Sequence, residues 1–294
     1  MTQLQYYRVA GFLLSVSLPA GKDADSLLPS FRPFRVGEEE RGDVLFRCSA
    51  KSAAEAPCLS GKTLLEETDN DMGHLRLYAV AGGYAVEVTS GSYPHLMVAS
   101  ADFTQVEAFL HWEDAEAGNV LSAMARVAFA QSALSHEAIS LHAAAVYVDG
   151  RAYLFMGKSG TGKSTHAQLW REHIAGAELL NDDNPAVRFF GDTAYACGTP
   201  WSGKTPCYKN LQFPIGGMAR LSQAAENRFQ RQEGADAFVA IYPGCSVIAE
   251  NETLRHHLYD TLTRLANSVK VGTLECLPNG EAARLCYREM SGSL

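Results

Sequence analysis

The sequence predicts a mixed α/β protein in two parts, a β-rich portion over 1–112 and an α/β portion over 113–294. Three observations carry this reading. The first ~110 residues run in short alternating stretches bounded by Gly, Pro and Asp, the pattern of strands and turns. Near Glu113 the apolar period changes to that of a helix. Further on, two apolar runs flank Asp149-Gly150, a strong tight-hairpin signal, and lead directly into a glycine-rich run that opens another helical stretch.

Taken in order, the apolar residues at 10–14 have no basic segment ahead of them and are followed by Gly21-Lys22-Asp23, so they read as a strand and not a signal peptide. Strands are expected over 44–48, 75–81 and 84–88, with Gly82-Gly83 as a turn. The acidic clusters Glu38–Glu40 and Glu66–Asp71 are expected on solvated loops. Gly61-Lys62-Thr63 lacks the upstream glycine of a phosphate loop and reads as a turn. Over 113–134, Val120, Met124, Val127, Ala128 and Leu134 fall at helical spacing, with Asn119 available as a cap. This helix is expected to join the two domains and to open the second. Beyond it come hairpin strands over 143–148 and 152–156, a glycine-rich loop, and a helix to about Glu172. A short strand over 177–180 ends in Asn181-Asp182-Asp183, and a second hairpin, 186–190 with 193–197, turns at Gly191-Asp192. Helices are expected over 235–241, 252–269 and 280–290.

The composition excludes several classes. At 294 residues, 47% hydrophobic and 20% charged, the chain can bury a sizeable core, which rules out wholesale disorder. The net charge of −8, with no run of Lys or Arg, argues against a partner held by phosphate neutralisation, so no nucleic acid is expected. No stretch approaches the ~18–20 apolar residues of a membrane span. Seven cysteines without a C-x-x-C fit reduced thiols in the cytoplasm, not a disulfide framework or a zinc site. A homo-oligomer is compatible with all of this.

The chemistry concentrates in Gly157-Lys158-Ser159-Gly160-Thr161-Gly162-Lys163-Ser164-Thr165, a match to G-x-x-x-x-G-K-[ST] between a strand and a helix. Glycines let the backbone turn so that successive N–H groups point at phosphate oxygens, and the helix start faces the same anion. Lys163 would place its ammonium on the β- and γ-phosphates, and Ser164 would offer a hydroxyl to Mg²⁺, with Mn²⁺ allowed. Asp182 and Asp183 follow at a strand end, where neighbouring strand ends share a crevice. One could bind metal while the other takes a proton, although Asn-Asp-Asp-Asn is also ordinary turn chemistry. His142, just ahead of the hairpin, lies beside the loop if the hairpin pairs in register. A lone histidine among apolar residues is by default a satisfied, partly buried one.

The ordered set of His142, hairpin, glycine loop and Asp182-Asp183 resembles HPr kinase/phosphorylase and phosphoenolpyruvate carboxykinase. The likeness covers about 141–204, more weakly to about 284, and does not reach the first 110 residues. It implies a fold of that superfamily, with the hairpin feeding the phosphate loop, and nucleotide phosphates on 157–165. It also implies metal on Ser164, metal or base roles for Asp182 and Asp183, and a catalytic or metal-proximal role for His142. The run 198–204 looks like a substrate loop, with Trp201 in it and Lys204 where the carboxykinases carry a lysine near the phosphates; a Gly/Pro turn is the plain alternative. Thr165 stands where HPr kinases usually carry Glu, and their phosphorolysis-associated motif is replaced by 198–204. The carboxykinases are far longer. The chain looks most like the shorter HPr-kinase-related kinases.

The expected function is therefore ATP- and Mg²⁺-dependent transfer of a γ-phosphoryl group to a hydroxyl, such as a serine of a protein or peptide. Lys163 would stabilise the transferring group, Asp182 would act as base, and Asp183 with Ser164 would hold the metal. A nucleotide-sensing regulatory module without transfer, and a small-molecule kinase or nucleoside triphosphatase, stand as alternatives.

Overall fold

The computed structural model describes residues 3–37, 40, 42–70, 73–203 and 205–292. The chain is a mixed α/β protein that divides into two compact units, Met1–Ala133 and Leu134–Leu294.

In the first unit the elements run β1 (Gln3–Val9), β2 (Phe12–Leu18), α1 (Ala24–Leu27), β3 (Val44–Ser52), β4 (Thr63–Asn70), β5 (Gly73–Val80), β6 (Gly83–Ser90), β7 (Tyr93–Ser100), β8 (Gln105–Leu110) and α2 (Ala117–Ser132). They form one eight-stranded sheet in the order β1-β2-β3-β8-β7-β6-β5-β4. The apolar residues near the start are a hairpin, with Ala10 and Gly11 at positive φ in its turn and Phe12 opening β2. Three expectations change here. Helix α2 packs against β3 and β8 through buried Leu121, Met124 and Phe129, so it completes the first unit and does not open the second. Asn119 lies inside the first turn and donates to Glu116 Oε2 at 2.6 Å, while Glu116 is the cap residue. Residues Glu66–Asn70 belong to the edge strand β4, where acidic side chains can face solvent as readily as on a loop and discourage edge pairing. Asp71, Glu38 and Glu39 lie outside the described residues.

The second unit contains β9 (Ala138–Ser140), β10 (Ala143–Val148), β11 (Arg151–Met156), α3 (Lys163–His173), β12 (Glu178–Asn181), β13 (Ala186–Phe190), β14 (Thr193–Cys197), β15 (Gln212–Gln223), β16 (Arg228–Gln232), α4 (Gly234–Ile241), α5 (Glu252–Ser268), β17 (Val271–Cys276) and α6 (Gly280–Ser291). The path of its nine-stranded sheet is β12-β10-β11-β15-β14-β13-β9, and β17 joins β15 to β16. Strand β10 is antiparallel to both neighbours, whereas β11, β15 and β17 run parallel. Asp149 (φ 51°) and Gly150 (φ 72°) make the two-residue turn between β10 and β11, both at the positive φ that matches strand twist. The near-continuous apolar run of β10 and β11 is buried.

The central strand β15 is the largest element not expected from the sequence. Pro214, Gly216 and Gly217 interrupt it. These glycines mark close approaches. A Cβ on Gly216 would lie 2.7 Å from ring carbons of Tyr153, and one on Gly217 would lie 2.8 Å from Met290. Tyr153 is itself buried between Trp170 and Tyr287, with ring centroids 4.9 and 5.8 Å away, so its ring has little room to move. Gly216→Ala is therefore expected to cost about 1–3 kcal/mol by overpacking, read as a lower urea midpoint with unchanged slope. An unchanged midpoint would show that the ring yields.

Candidate active site

The site is built at the carboxyl end of β11, where the chain leaves the sheet through a glycine loop into α3. Gly157, Gly160 and Gly162 have φ of 153°, 81° and 96°. Gly162 occupies the cap position of α3 in the left-handed region, which a side chain would strain. Thr161 closes the loop on itself, its hydroxyl donating to Lys158 O at 2.8 Å, and Gln223 at the end of β15 donates to Gly160 O at 3.3 Å.

What holds α3 in place is aromatic packing. Trp170 is fully buried, with its ring centroid 5.1 Å from Phe155 on β11 and 5.3 Å from Tyr287 on α6. Its indole N–H donates to His166 Nε2 at 3.1 Å, so His166 accepts at that nitrogen and carries its proton on Nδ1. Burial lowers the His166 pKa to about 4. In the unfolded chain a histidine titrates near 6.5, so between these values the unfolded state binds the extra proton. Stability from this group is complete above 6.5 and is lost as pH falls toward 4, by about 3 kcal/mol at most. His166→Gln keeps an acceptor for Trp170 without titrating. Its Tm is expected to fall less steeply than that of wild type between pH 7 and 4.5. Parallel Tm curves would show that other groups govern the acid limb.

Lys163, the first residue of α3, is 8% exposed. Its ammonium donates to Gly157 O at 3.1 Å and Lys158 O at 3.4 Å, and lies 2.8 Å from His142 Nε2. An ammonium only donates, so Nε2 accepts and the His142 proton sits on Nδ1. That nitrogen is 2.9 Å from Asp183 Oδ1. The result is a connected row: carboxylate, imidazole, ammonium. Burial pushes the Lys163 pKa down, against the upward pull of Asp183 and then Asp182.

The backbone places His142 beside the loop. Its N–H donates to Gly244 O at 2.7 Å, and the next N–H, of Ala143, donates to Asp183 O at 3.0 Å. The other oxygen of Asp183 accepts from the Asn184 side chain. Asp182 turns elsewhere. It is 3% exposed, accepts from Thr205 N–H at 3.0 Å through Oδ2, and lines a groove of about 460 Å³ together with Ser164 and Thr165. The adjacent carboxylates thus serve different neighbourhoods, Asp183 with His142 and Asp182 with Ser164.

Three residues missed by sequence reasoning hold this turn. Asn181 Oδ1 accepts from the N–H groups of Asp183 and Asn184 at 2.9 and 2.8 Å, and its amide donates to Trp201 O at 3.0 Å. Thr199 donates to Asn184 O at 2.7 Å, and Thr205 supplies the N–H to Asp182. The Asn-Asp-Asp-Asn signal marks the turn, but partners 15–23 residues away leave no local trace in the sequence. Trp201, expected within a possible substrate loop, is 5% exposed, and its carbonyl accepts from the Asn181 amide. Lys204 lies outside the described residues.

No family model matches the chain, and no curated protein matches it. A solved structure, that of the Hpr(Ser) kinase/phosphatase from Coxiella burnetii, aligns with 50% of this chain and 91% of its own at 10% identity. The TM-score is 0.30, too low to establish a common fold.

Proposed function

We propose that the chain is an ATP- and Mg²⁺-dependent phosphotransferase that moves the γ-phosphoryl group to a hydroxyl, a serine of a protein or peptide being one acceptor class. The observation that carries the reading is the Lys163 ammonium. It is buried at the base of a glycine loop and bonded to neutral partners, so its charge remains for an arriving anion. Phosphate oxygens in the loop would replace its bonds to Gly157 O and Lys158 O, and the positive start of α3 would add to the same field.

The donors fit Mg²⁺. Ser164 and Asp182 line one groove and offer hard oxygen ligands. Mg²⁺ commonly keeps several waters and phosphate oxygens beside one or two protein ligands, which these two oxygens would supply. When bound, the ion would neutralise charge on the transferring group. In this assignment Asp182 takes the metal-side role expected of Asp183. Asp183 holds the His142 imidazole in its Nδ1–H tautomer, leaving Nε2 to accept the acceptor hydroxyl's proton once Lys163 turns to phosphate. Positioning and electrostatics of this kind supply most of a phosphoryl-transfer rate enhancement.

The test is incubation with γ-labelled ATP, Mg²⁺ and a fractionated lysate. Label on a polypeptide supports a protein kinase, and label on a small molecule a metabolite kinase. Label only on free phosphate points to an NTPase. ATP that binds without any label transfer would replace the proposal with a nucleotide sensor.

A further inference from the structure

The sheet of the first unit has one covered face and one open face. Helix α2 packs on β3 and β8, and Val16, Cys48 and Val106 are buried on its side. Side chains alternate along a strand, so Ser15, Ser17, Arg47, Ser49, Gln105 and Glu107 point to the other face. The register sets these in two rows across four strands. Tyr6, Ser15, Arg47 and Gln105 are neighbours in one row, and Leu4, Ser17, Ser49 and Glu107 in the next. At about 4.8 Å between strands a row spans about 14 Å, and the two rows lie about 7 Å apart. The three serines are short, whereas Leu4 on one side and Arg47, Gln105 and Glu107 on the other are long. The result is a trough of about 380 Å³ with a hydroxyl floor, large enough for a small molecule.

The protein itself uses only part of this polar capacity. Ser17 donates to Ser49 Oγ at 3.1 Å. Ser15 is 2% exposed, yet its hydroxyl has no hydrogen-bond partner among the described residues and opens into the trough. Buried hydroxyls are normally bonded, so this one marks a place where a further group belongs. Arg47, its direct neighbour on β3, has no ion-pair partner among the described residues. Glu107 is paired with Lys51. The trough therefore offers one uncompensated guanidinium, a row of hydroxyls, the Gln105 amide, and a carboxylate whose charge is already balanced.

We infer that the trough binds a small polyhydroxylated monocarboxylate, of the sugar-acid class. The ligand carboxylate sits on the Arg47 fork and accepts from the Ser15 hydroxyl. Its hydroxyls exchange hydrogen bonds with Ser17, Ser49 and Gln105 and donate to the remaining lone pairs of Glu107. A phosphate would bring about 1.5–2 negative charges to a single guanidinium beside the Glu107 carboxylate, and a neutral sugar would leave Arg47 unused. The site lies wholly within the first unit, so it stands or falls independently of the phosphate loop.

Isothermal titration of the full chain with sodium gluconate at constant ionic strength is the test. One site with a Kd below about 5 mM is expected, with glucose and inorganic phosphate each at least about tenfold weaker. Arg47→Gln alters an exposed position and should weaken gluconate at least about tenfold at unchanged Tm. Ser15→Val places a β-branched side chain, favoured in strands, on the trough floor and should weaken gluconate likewise, with melting curves as the folding control. Should that variant not fold, Arg47→Gln decides alone. The site is overturned by any one of three results: no saturable gluconate binding, glucose or phosphate bound as tightly as gluconate, or wild-type gluconate affinity in Arg47→Gln.

Discussion

Lys163→Met is expected to cut γ-phosphoryl transfer by at least about 10³-fold while leaving the Tm at pH 7 no lower than that of wild type. The two halves of the result have one cause. The ammonium is buried, and its pKa is pushed down by that burial more than Asp183 and Asp182 pull it up. A lysine whose folded-state pKa is lowered makes the charged form a cost to folding. The unfolded state binds more protons between the folded-state value and 10.5, so stability rises with pH through that window. Below the folded-state value the cost is present in full, and methionine removes it while keeping most of the volume. The Tm difference between variant and wild type should narrow on the alkaline side. A structural lysine would behave oppositely, with a lower Tm and activity lost only in proportion to unfolded protein. Transfer assays paired with melting curves at pH 7 and pH 9.5 distinguish the two. Wild-type turnover in the variant would remove the phosphate loop from the proposal altogether.

How much of this site was legible in the sequence depends on whether its determinants are local. The loop glycines are spaced by their own backbone need, and Gly157, Gly160 and Gly162 all have positive φ. The Asp149-Gly150 turn and the strands Ala186–Phe190 and Thr193–Cys197 were readable for the same reason, since their turn residues sit between them. Determinants that act across the fold were not readable. Strand β15 contains Pro214, Gly216 and Gly217, which look like breaks until Tyr153 and Met290 are seen to fill the space the side chains vacate. Asn181 reads as one more turn residue, yet its side chain bonds to the Trp201 carbonyl twenty positions away. The helix over 117–132 was legible as a helix, but its allegiance to the first sheet depends on which strands its apolar stripe meets. Adjacent aspartates carry no mark of which faces which partner. The pairing of Asp183 with His142, and of Asp182 with Thr205 and the groove, required the fold.

That division of the carboxylates gives the second large effect. Asp183→Asn is expected to lower kcat by about 10²–10³-fold with little change in the Mg²⁺ concentration for half-maximal rate. The amide can still accept from His142 Nδ1–H, so the ring stays oriented, but a neutral partner no longer stabilises the imidazolium formed when Nε2 takes a proton. Asp182→Asn should do the reverse. Its carboxylate lines the groove with Ser164, and a hard divalent ion prefers a carboxylate oxygen to an amide. The half-saturating Mg²⁺ concentration should rise about tenfold or more, with much of the rate regained at high Mg²⁺. Both variants retain the oxygen that accepts backbone or ring N–H groups, and Asp183→Asn loses only the acceptor for the Asn184 amide, so melting curves of both serve as the folding control and rates are compared on folded protein. Magnesium titrations of initial transfer rate decide the matter. If Asp182→Asn loses kcat at every Mg²⁺ concentration and Asp183→Asn shifts the titration, Asp182 is the base and Asp183 the metal partner. If both titrate and turn over as wild type, the pair is only the turn that Asn181 ties down.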